Sequence, residues 1–117
     1  MASLEPAARR ERGSCCELPH RVDPAGADAR AELLKAVADP TRLAMLAALR
    51  KASAPVCVCD FTAAFDLTQP TISHHMAKLK AAGLVESEKR GIWVYYRLHS
   101  ALTQRDLKLL DSVLATD

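Results

Sequence analysis

Over 70–82 the large apolar residues are Ile72, Met76 and Leu79. Their i, i+4, i+7 spacing draws one buried stripe along an α-helix. At 100° per residue the opposite side carries His74, with Thr71 and Lys78 beside it. Such a helix packs by one face and presents short hydrogen-bonding side chains and a cation on the other, as a helix in a DNA major groove must. Thr68 suits the N-cap, and Gln69 and Pro70 suit the first turn, where the N–H that proline lacks would have had no partner. Ahead of this helix, 60–66 predicts a short one with Phe61, Ala64 and Phe65 as its apolar face. The pair is a candidate helix-turn-helix, although an ordinary αα-hairpin shares the spacing.

Earlier in the chain, Ala31, Leu34, Val37 and Ala38 predict a helix over 27–38, which Asp39 and Pro40 end. The same two residues can cap a second helix over 40–51 that buries Leu43, Leu46, Ala47 and Leu49. After the helix-turn-helix, Gly83 fits a helix C-cap. Two runs rich in β-formers, 84–88 and 92–98, then flank Lys89, Arg90 and Gly91 and predict a hairpin with a basic tip. Trp93 and Tyr95 fall on one of its faces, Val94 and Tyr96 on the other. A final helix over 103–114 aligns Leu107, Leu110 and Leu114, with Leu102, Leu109 and Val113 widening the stripe. The expected fold is mainly α with a small β-hairpin, in the order α-α-α-α-β-β-α. A hairpin directly behind a recognition helix makes a winged helix-turn-helix, and Arg90 at the tip can reach a phosphate or the minor groove.

Residues 1–24 hold Pro6, Gly13, Pro19 and Pro24, charges of both signs and almost no large apolar side chain, which predicts a flexible arm ahead of one domain over 25–117. With 117 residues the chain is sized for one core. Aromatics are only 4%, so that core is built from Leu, Val, Ile, Ala and Met. Net charge is only +2, but 68–97 carries Lys78, Lys80, Lys89, Arg90 and Arg97 against Glu86 and Glu88. The positive charge lies where DNA would. Neither a membrane span nor a signal peptide is read in the chain. The expectation is a cytoplasmic protein whose four cysteines are metal-binding or redox-active thiols rather than structural disulfides. No nucleophile–base pair, phosphate loop or catalytic carboxylate pair is present, so an enzyme is not expected.

The segments DPTRLAML at 39–46, CVCDF at 57–61, LTQPTISHHMAKLKAAGLV at 67–85 and RGIWVYYRL at 90–98 resemble, in order and spacing, the ArsR/SmtB family of metal-responsive winged-helix repressors. The resemblance implies a homodimer joined by its first and last helices, double-stranded operator DNA as partner, and repression relieved by an inducer. It places the recognition helix in 68–82 and makes Gln69, Thr71, Ser73 and His74 base- or phosphate-contacting residues, with Thr68, Lys78 and Arg90 completing the expected DNA-binding set.

By the same resemblance, Cys57 and Cys59 match the family's thiolate site ahead of the recognition helix. The family's other site, on the terminal helix, uses Asp and His pairs. Here that helix has Asp106 and Asp111 but no histidine, so it is not carried over. Soft thiolates select soft ions. Adjacent Cys15 and Cys16, with a third thiolate from Cys57 or Cys59, would make the three-sulfur site that As(III) or Sb(III) prefers. Cd(II), Pb(II) or Zn(II) on the same sulfurs is the alternative, as is a thiol–disulfide switch. In a regular helix Cys57 and Cys59 would point about 200° apart, so either the chain is not yet helical at Cys57 or only one is a strong ligand. A nearby helix N-terminus should lower both thiol pKa values. His20, His75 and His99 are expected in solvated or structural roles.

Overall fold

The computed structural model describes residues 23–114, so Cys15, Cys16, His20 and the arm up to residue 22 lie outside the described residues. The elements are α1 (Pro24–Val37), α2 (Pro40–Lys51), β1 (Val56–Cys57), α3 (Val58–Phe65), α4 (Gln69–Ala81), β2 (Val85–Arg90), β3 (Trp93–Leu98) and α5 (Gln104–Leu114). The order matches the expectation with one addition, the short strand β1. It pairs antiparallel with β3, Val56 opposite Tyr96 and Cys57 opposite Tyr95. The hairpin is therefore the larger part of a three-stranded sheet ordered β1-β3-β2. This pairing gives the two-stranded wing a second anchor on the helical body.

Side-chain caps set where the helices begin. Asp23 accepts from the Gly26 N–H at 3.1 Å and starts α1 at Pro24, three residues before the predicted start. Asp39 accepts from the Arg42 N–H at 2.9 Å and starts α2. Thr103 and Asp106 exchange backbone and side-chain bonds of 3.0 and 3.1 Å, a reciprocal capping box at the head of α5. At the other end of α4, Gly83 takes φ +76° and the Leu84 N–H returns to the Leu79 carbonyl at 3.0 Å, the wrap that a left-handed residue permits.

The core gathers at the centre of this frame. Met45 and Leu46 of α2, Val58 and Phe61 of α3, Ile72, Met76 and Leu79 of α4, and Leu84 and Val85 are almost fully buried. The predicted α4 stripe is thus the buried face, and truncating Leu79 to Ala would cost about 2–5 kcal/mol. Four predicted faces differ. In α3 the buried side is Val58 and Phe61, with Phe65 half-buried and Ala64 exposed. In α1 it is Ala36 and Val37 with Leu33, while Ala31, Leu34 and Ala38 face outward. In α2 Met45 joins Leu46 and Leu49 in the core, and Leu43 and Ala47 are only half-buried. On α5 Leu110 and Leu114 are buried but Leu109 and Val113 remain 51% exposed. Together with Leu34 they edge a shallow apolar groove between α1 and α5.

Candidate functional site

The recognition helix is presented by a three-residue turn, 66–68, in which Asp66 adopts the left-handed conformation (φ 53°, ψ 45°) and breaks α3. Thr68 then caps α4, accepting from the Thr71 N–H at 3.4 Å, and its hydroxyl lies 2.9 Å from that of Thr71. With Ile72, Met76 and Leu79 turned inward, helical geometry places Thr71, His74 and Lys78 on one outward face. His74 and Lys78 are exposed and Thr71 half-buried. Gln69, exposed, and Ser73, half-buried, fall roughly 130–170° around the helix from that face, on the flank where Lys80 sends its Nζ to Ser87 of β2 at 3.0 Å. The predicted contact residues therefore divide between two surfaces of one helix.

Arg42, within the DPTR segment, ties α2 to the end of α1 and lies beside this helix. Its Nε donates to the Ala36 carbonyl at 2.6 Å, at the end of α1, and another guanidinium nitrogen lies 3.4 Å from His75 Nδ1 on α4. His75 thus has a structural role, with its ring toward α2 while neighbouring His74 faces out.

Arg90 ends β2. Its guanidinium stacks over the Tyr95 ring, 4.5 Å from the centroid, and pairs with Glu88. The side chain is folded back along the wing rather than extended from its tip. The tip is the two-residue loop Gly91–Ile92, closed by the Arg90–Trp93 pair, and Gly91 supplies φ +62° at its first position. Ile92 is 82% exposed there and Trp93 44%. Sequence reasoning passed over Ile92, since one apolar residue in a strand-like run reads as a core position.

The thiols meet at the junction of β1 and α3. Cys57 is still extended (φ −68°, ψ 143°) and occupies the N-cap, whereas Cys59 is in the first helical turn. The change of backbone conformation between them overcomes the 200° divergence of a regular helix. The Cys59 Sγ–H donates to the Cys57 Sγ at 3.0 Å, with Cys57 buried and Cys59 exposed. That hydrogen bond, together with slight burial and the Asp60 carboxylate, raises the Cys59 thiol above its ordinary pKa. The expected lowering by the helix N-terminus is overridden at Cys59, because its proton is held in the bond to the Cys57 sulfur and the neutral thiol is favoured. Two thiolates on one tetrahedral ion at about 2.3 Å would stand about 3.8 Å apart, so less than 1 Å of opening fits this pair to one thiophilic centre. Among the described residues no group of three His, Cys, Asp or Glu side chains is placed to hold a metal ion.

The carboxylates of α5 have structural partners. Asp106 caps its own helix, and Asp111 takes two bonds from Arg50 of α2 at 2.8 and 3.0 Å. Among the described residues, no helix is long and apolar enough to cross a membrane.

Comparison with known proteins agrees with this architecture. Residues 39–87 match the family model described as bacterial regulatory protein, arsR family. An arsenical resistance operon repressor of Escherichia coli is 40% identical over 80 residues, 68% of either chain. An arsenic resistance transcriptional regulator of Pseudomonas putida is 42% identical over 72 residues, which are 62% of this chain and 56% of that one. Among solved structures, a homodimeric winged helix-turn-helix DNA-binding domain from Mycobacterium bovis superposes with a TM-score of 0.65 at 28% identity, covering 82% of this chain and 86% of that one. By fold, by the matched segment and by these relatives, the chain belongs to the ArsR family of bacterial regulatory proteins, which are winged-helix DNA-binding transcriptional regulators rather than enzymes.

Proposed function

We propose that this regulator is a cytoplasmic repressor that holds operator DNA as a homodimer and releases it when arsenite or antimonite binds its cysteine thiols. The observation that carries the reading is the Cys57–Cys59 pair, two sulfurs 3.0 Å apart at the head of the helix that leads into the recognition helix. Each thiol replaces one hydroxyl of As(OH)₃ and its proton leaves in the water formed. A thiol with a raised pKa is therefore no obstacle at neutral pH. In place of the expected set of both arm thiols with one of Cys57 or Cys59, the 3.0 Å pair supplies two sulfurs and the third comes from Cys15 or Cys16 of the partner subunit's arm.

On DNA, Thr71 and His74 read base edges while Gln69, Ser73, Lys78 and Arg90 hold backbone and register, with Thr68 fixing the start of the helix. The dimer closes over the apolar groove of α1 and α5, where Leu34, Leu109 and Val113 stand exposed in the single subunit. Such a patch is what a two-fold interface covers, and the Mycobacterium bovis relative of the same fold is homodimeric. Movement of Cys59 on α3 reaches α4 across only the 66–68 turn.

The test is a titration of protein bound to fluorescently labelled DNA under strong reductant with arsenite, antimonite, Cd(II), Pb(II) and Zn(II), and separately with peroxide without metal. Release at the lowest concentration by the trivalent metalloids supports the reading. Release by the divalent ions first, or by peroxide alone, assigns the thiols instead to divalent-ion sensing or to a disulfide switch. In a heterodimer with Cys15→Ser and Cys16→Ser in one chain and Cys57→Ser and Cys59→Ser in the other, a cross-subunit arrangement leaves one complete site and an intrasubunit one leaves none.

A further inference from the structure

Five large hydrophobic side chains are exposed among the described residues. Leu34, Leu109 and Val113 belong to the α1–α5 groove, but Ile92 (82%) and Trp93 (44%) stand apart at the tip of the wing. Nothing in the fold calls for an apolar side chain there. A two-residue loop opened by glycine accepts polar residues after it, and a bare edge of this kind is ordinarily charged. The loop is also stiff, because the paired strands and Gly91 at φ +62° hold Ile92 outward. Lys89 and Arg90 stand beside it, and Arg90, turned back onto Tyr95 and Glu88, leaves the tip uncovered.

We propose that the wing tip is a second, apolar DNA contact. Ile92 enters the minor groove beside the half-site, Trp93 covers the adjoining sugars, and Lys89 faces a flanking phosphate. The inference rests on the DNA-binding reading above and adds to it a contact that charge does not explain. A minor groove about 6 Å wide admits one side chain on a hairpin tip but no helix. Isoleucine is among the apolar wedges that proteins insert between base steps. Lys89, next to the tip and exposed, supplies a cation for a phosphate at the groove edge. A protein partner would need several hundred square ångströms per side, and two side chains do not supply it. Such a wedge favours flexible pyrimidine–purine steps, so it contributes sequence preference at positions α4 does not reach.

The probe is the inverted-repeat duplex that the wild-type protein enriches from a random-sequence library. Its affinity is measured against salt concentration for wild type, Ile92→Ser and Lys89→Ala, with hydroxyl-radical cleavage to report the minor-groove edge of the sugars. The expected result for Ile92→Ser is about tenfold weaker binding, an unchanged salt slope and loss of protection flanking the half-sites. Lys89→Ala lowers the slope by about one. Trp93, the single tryptophan of the chain, should become shielded from acrylamide when the duplex is added. Thermal unfolding of Ile92→Ser, equal to wild type, confirms that the fold is kept. Binding of Ile92→Ser within twofold of wild type with flanking protection retained overturns the proposal, as does a Trp93 equally open to acrylamide with and without DNA. If the wild-type protein enriches no duplex at all, the DNA-binding reading falls along with the wedge. If it binds and Ile92→Ser is silent, only the wedge falls.

Discussion

Replacing Arg42 by alanine tests how α1 is held against the helix-turn-helix body. The guanidinium Nε donates to the Ala36 carbonyl at 2.6 Å, and that carbonyl lies in the last turn of α1, where no further helical N–H follows to satisfy it. Removing a charged donor from a half-buried acceptor costs about 1.5–3 kcal/mol, and the favourable placement of a cation at a helix C-terminus is included in that range. The contact at 3.4 Å to His75 is long and adds little. The expected loss is about 2 kcal/mol, roughly 30-fold in the unfolding constant, or about 10 °C in melting temperature for a domain of this size. Urea unfolding followed by circular dichroism, at one fixed subunit concentration because association shifts apparent stability, should move the midpoint without changing the slope. Arg42→Lys should recover less than half, since a point charge does not reproduce the fork. A loss below 0.5 kcal/mol for Arg42→Ala would refute the idea that this residue ties α1 to α2.

Thr71→Ala or His74→Ala should each weaken operator binding by about 1–3 kcal/mol while leaving random-sequence DNA unaffected, whereas Lys78→Ala should weaken both and lower the salt slope by about one. Equal losses of Thr71→Ala on both duplexes would remove it from base reading. Leu109→Glu or Val113→Glu should raise the dimer dissociation constant about 100-fold or more by burying an unpaired charge. Sedimentation at micromolar concentration checks this, and a dimer that persists in both variants would place the interface elsewhere. The carboxyls of Asp39, held by the Arg42 N–H, Asp106, held by the Thr103 N–H, and Asp111, held by Arg50, all lie below their ordinary values. Because each folded value is below the unfolded one, their stabilisation is complete above about pH 5 and is lost as pH falls through the folded values. The urea midpoint should hold from pH 7 to about pH 5 and then drop, less steeply in Asp111→Asn. A midpoint that rises on acidification would contradict the sign.

The α4 stripe and its cap were legible because a three-turn helix repeats its pattern and Thr68, Gln69 and Pro70 mark its start. The strand β1 was not. Two residues carry no periodicity, and Val56 and Cys57 are strand only because Tyr95 and Tyr96, distant in sequence, pair with them. On α1 and α5 the spacing finds the apolar residues but not which of them face their own core, and Leu34, at the same helical spacing as buried Val37, stands exposed. The wing showed the converse. Arg90 was legible as a cation near the tip, while its turn back onto Tyr95 depends on cross-strand geometry. For the thiols, spacing reduced the question to whether the chain is helical at Cys57. The extended N-cap answers it and also explains why the Cys59 thiol moves opposite to the expectation from the helix end alone.

The central claim is that a thiophilic inducer at Cys57 and Cys59 governs the grip of α4 on DNA. Fluorescence anisotropy of the enriched operator duplex, titrated with protein in the presence and absence of saturating arsenite under strong reductant, measures this directly. The account predicts that arsenite weakens operator binding by the wild-type protein about 5- to 150-fold, a coupling of about 1–3 kcal/mol. It also predicts that a protein carrying Cys57→Ser and Cys59→Ser binds the duplex as tightly as wild type and does not respond to arsenite. Equal weakening of both proteins, or of neither, would contradict it.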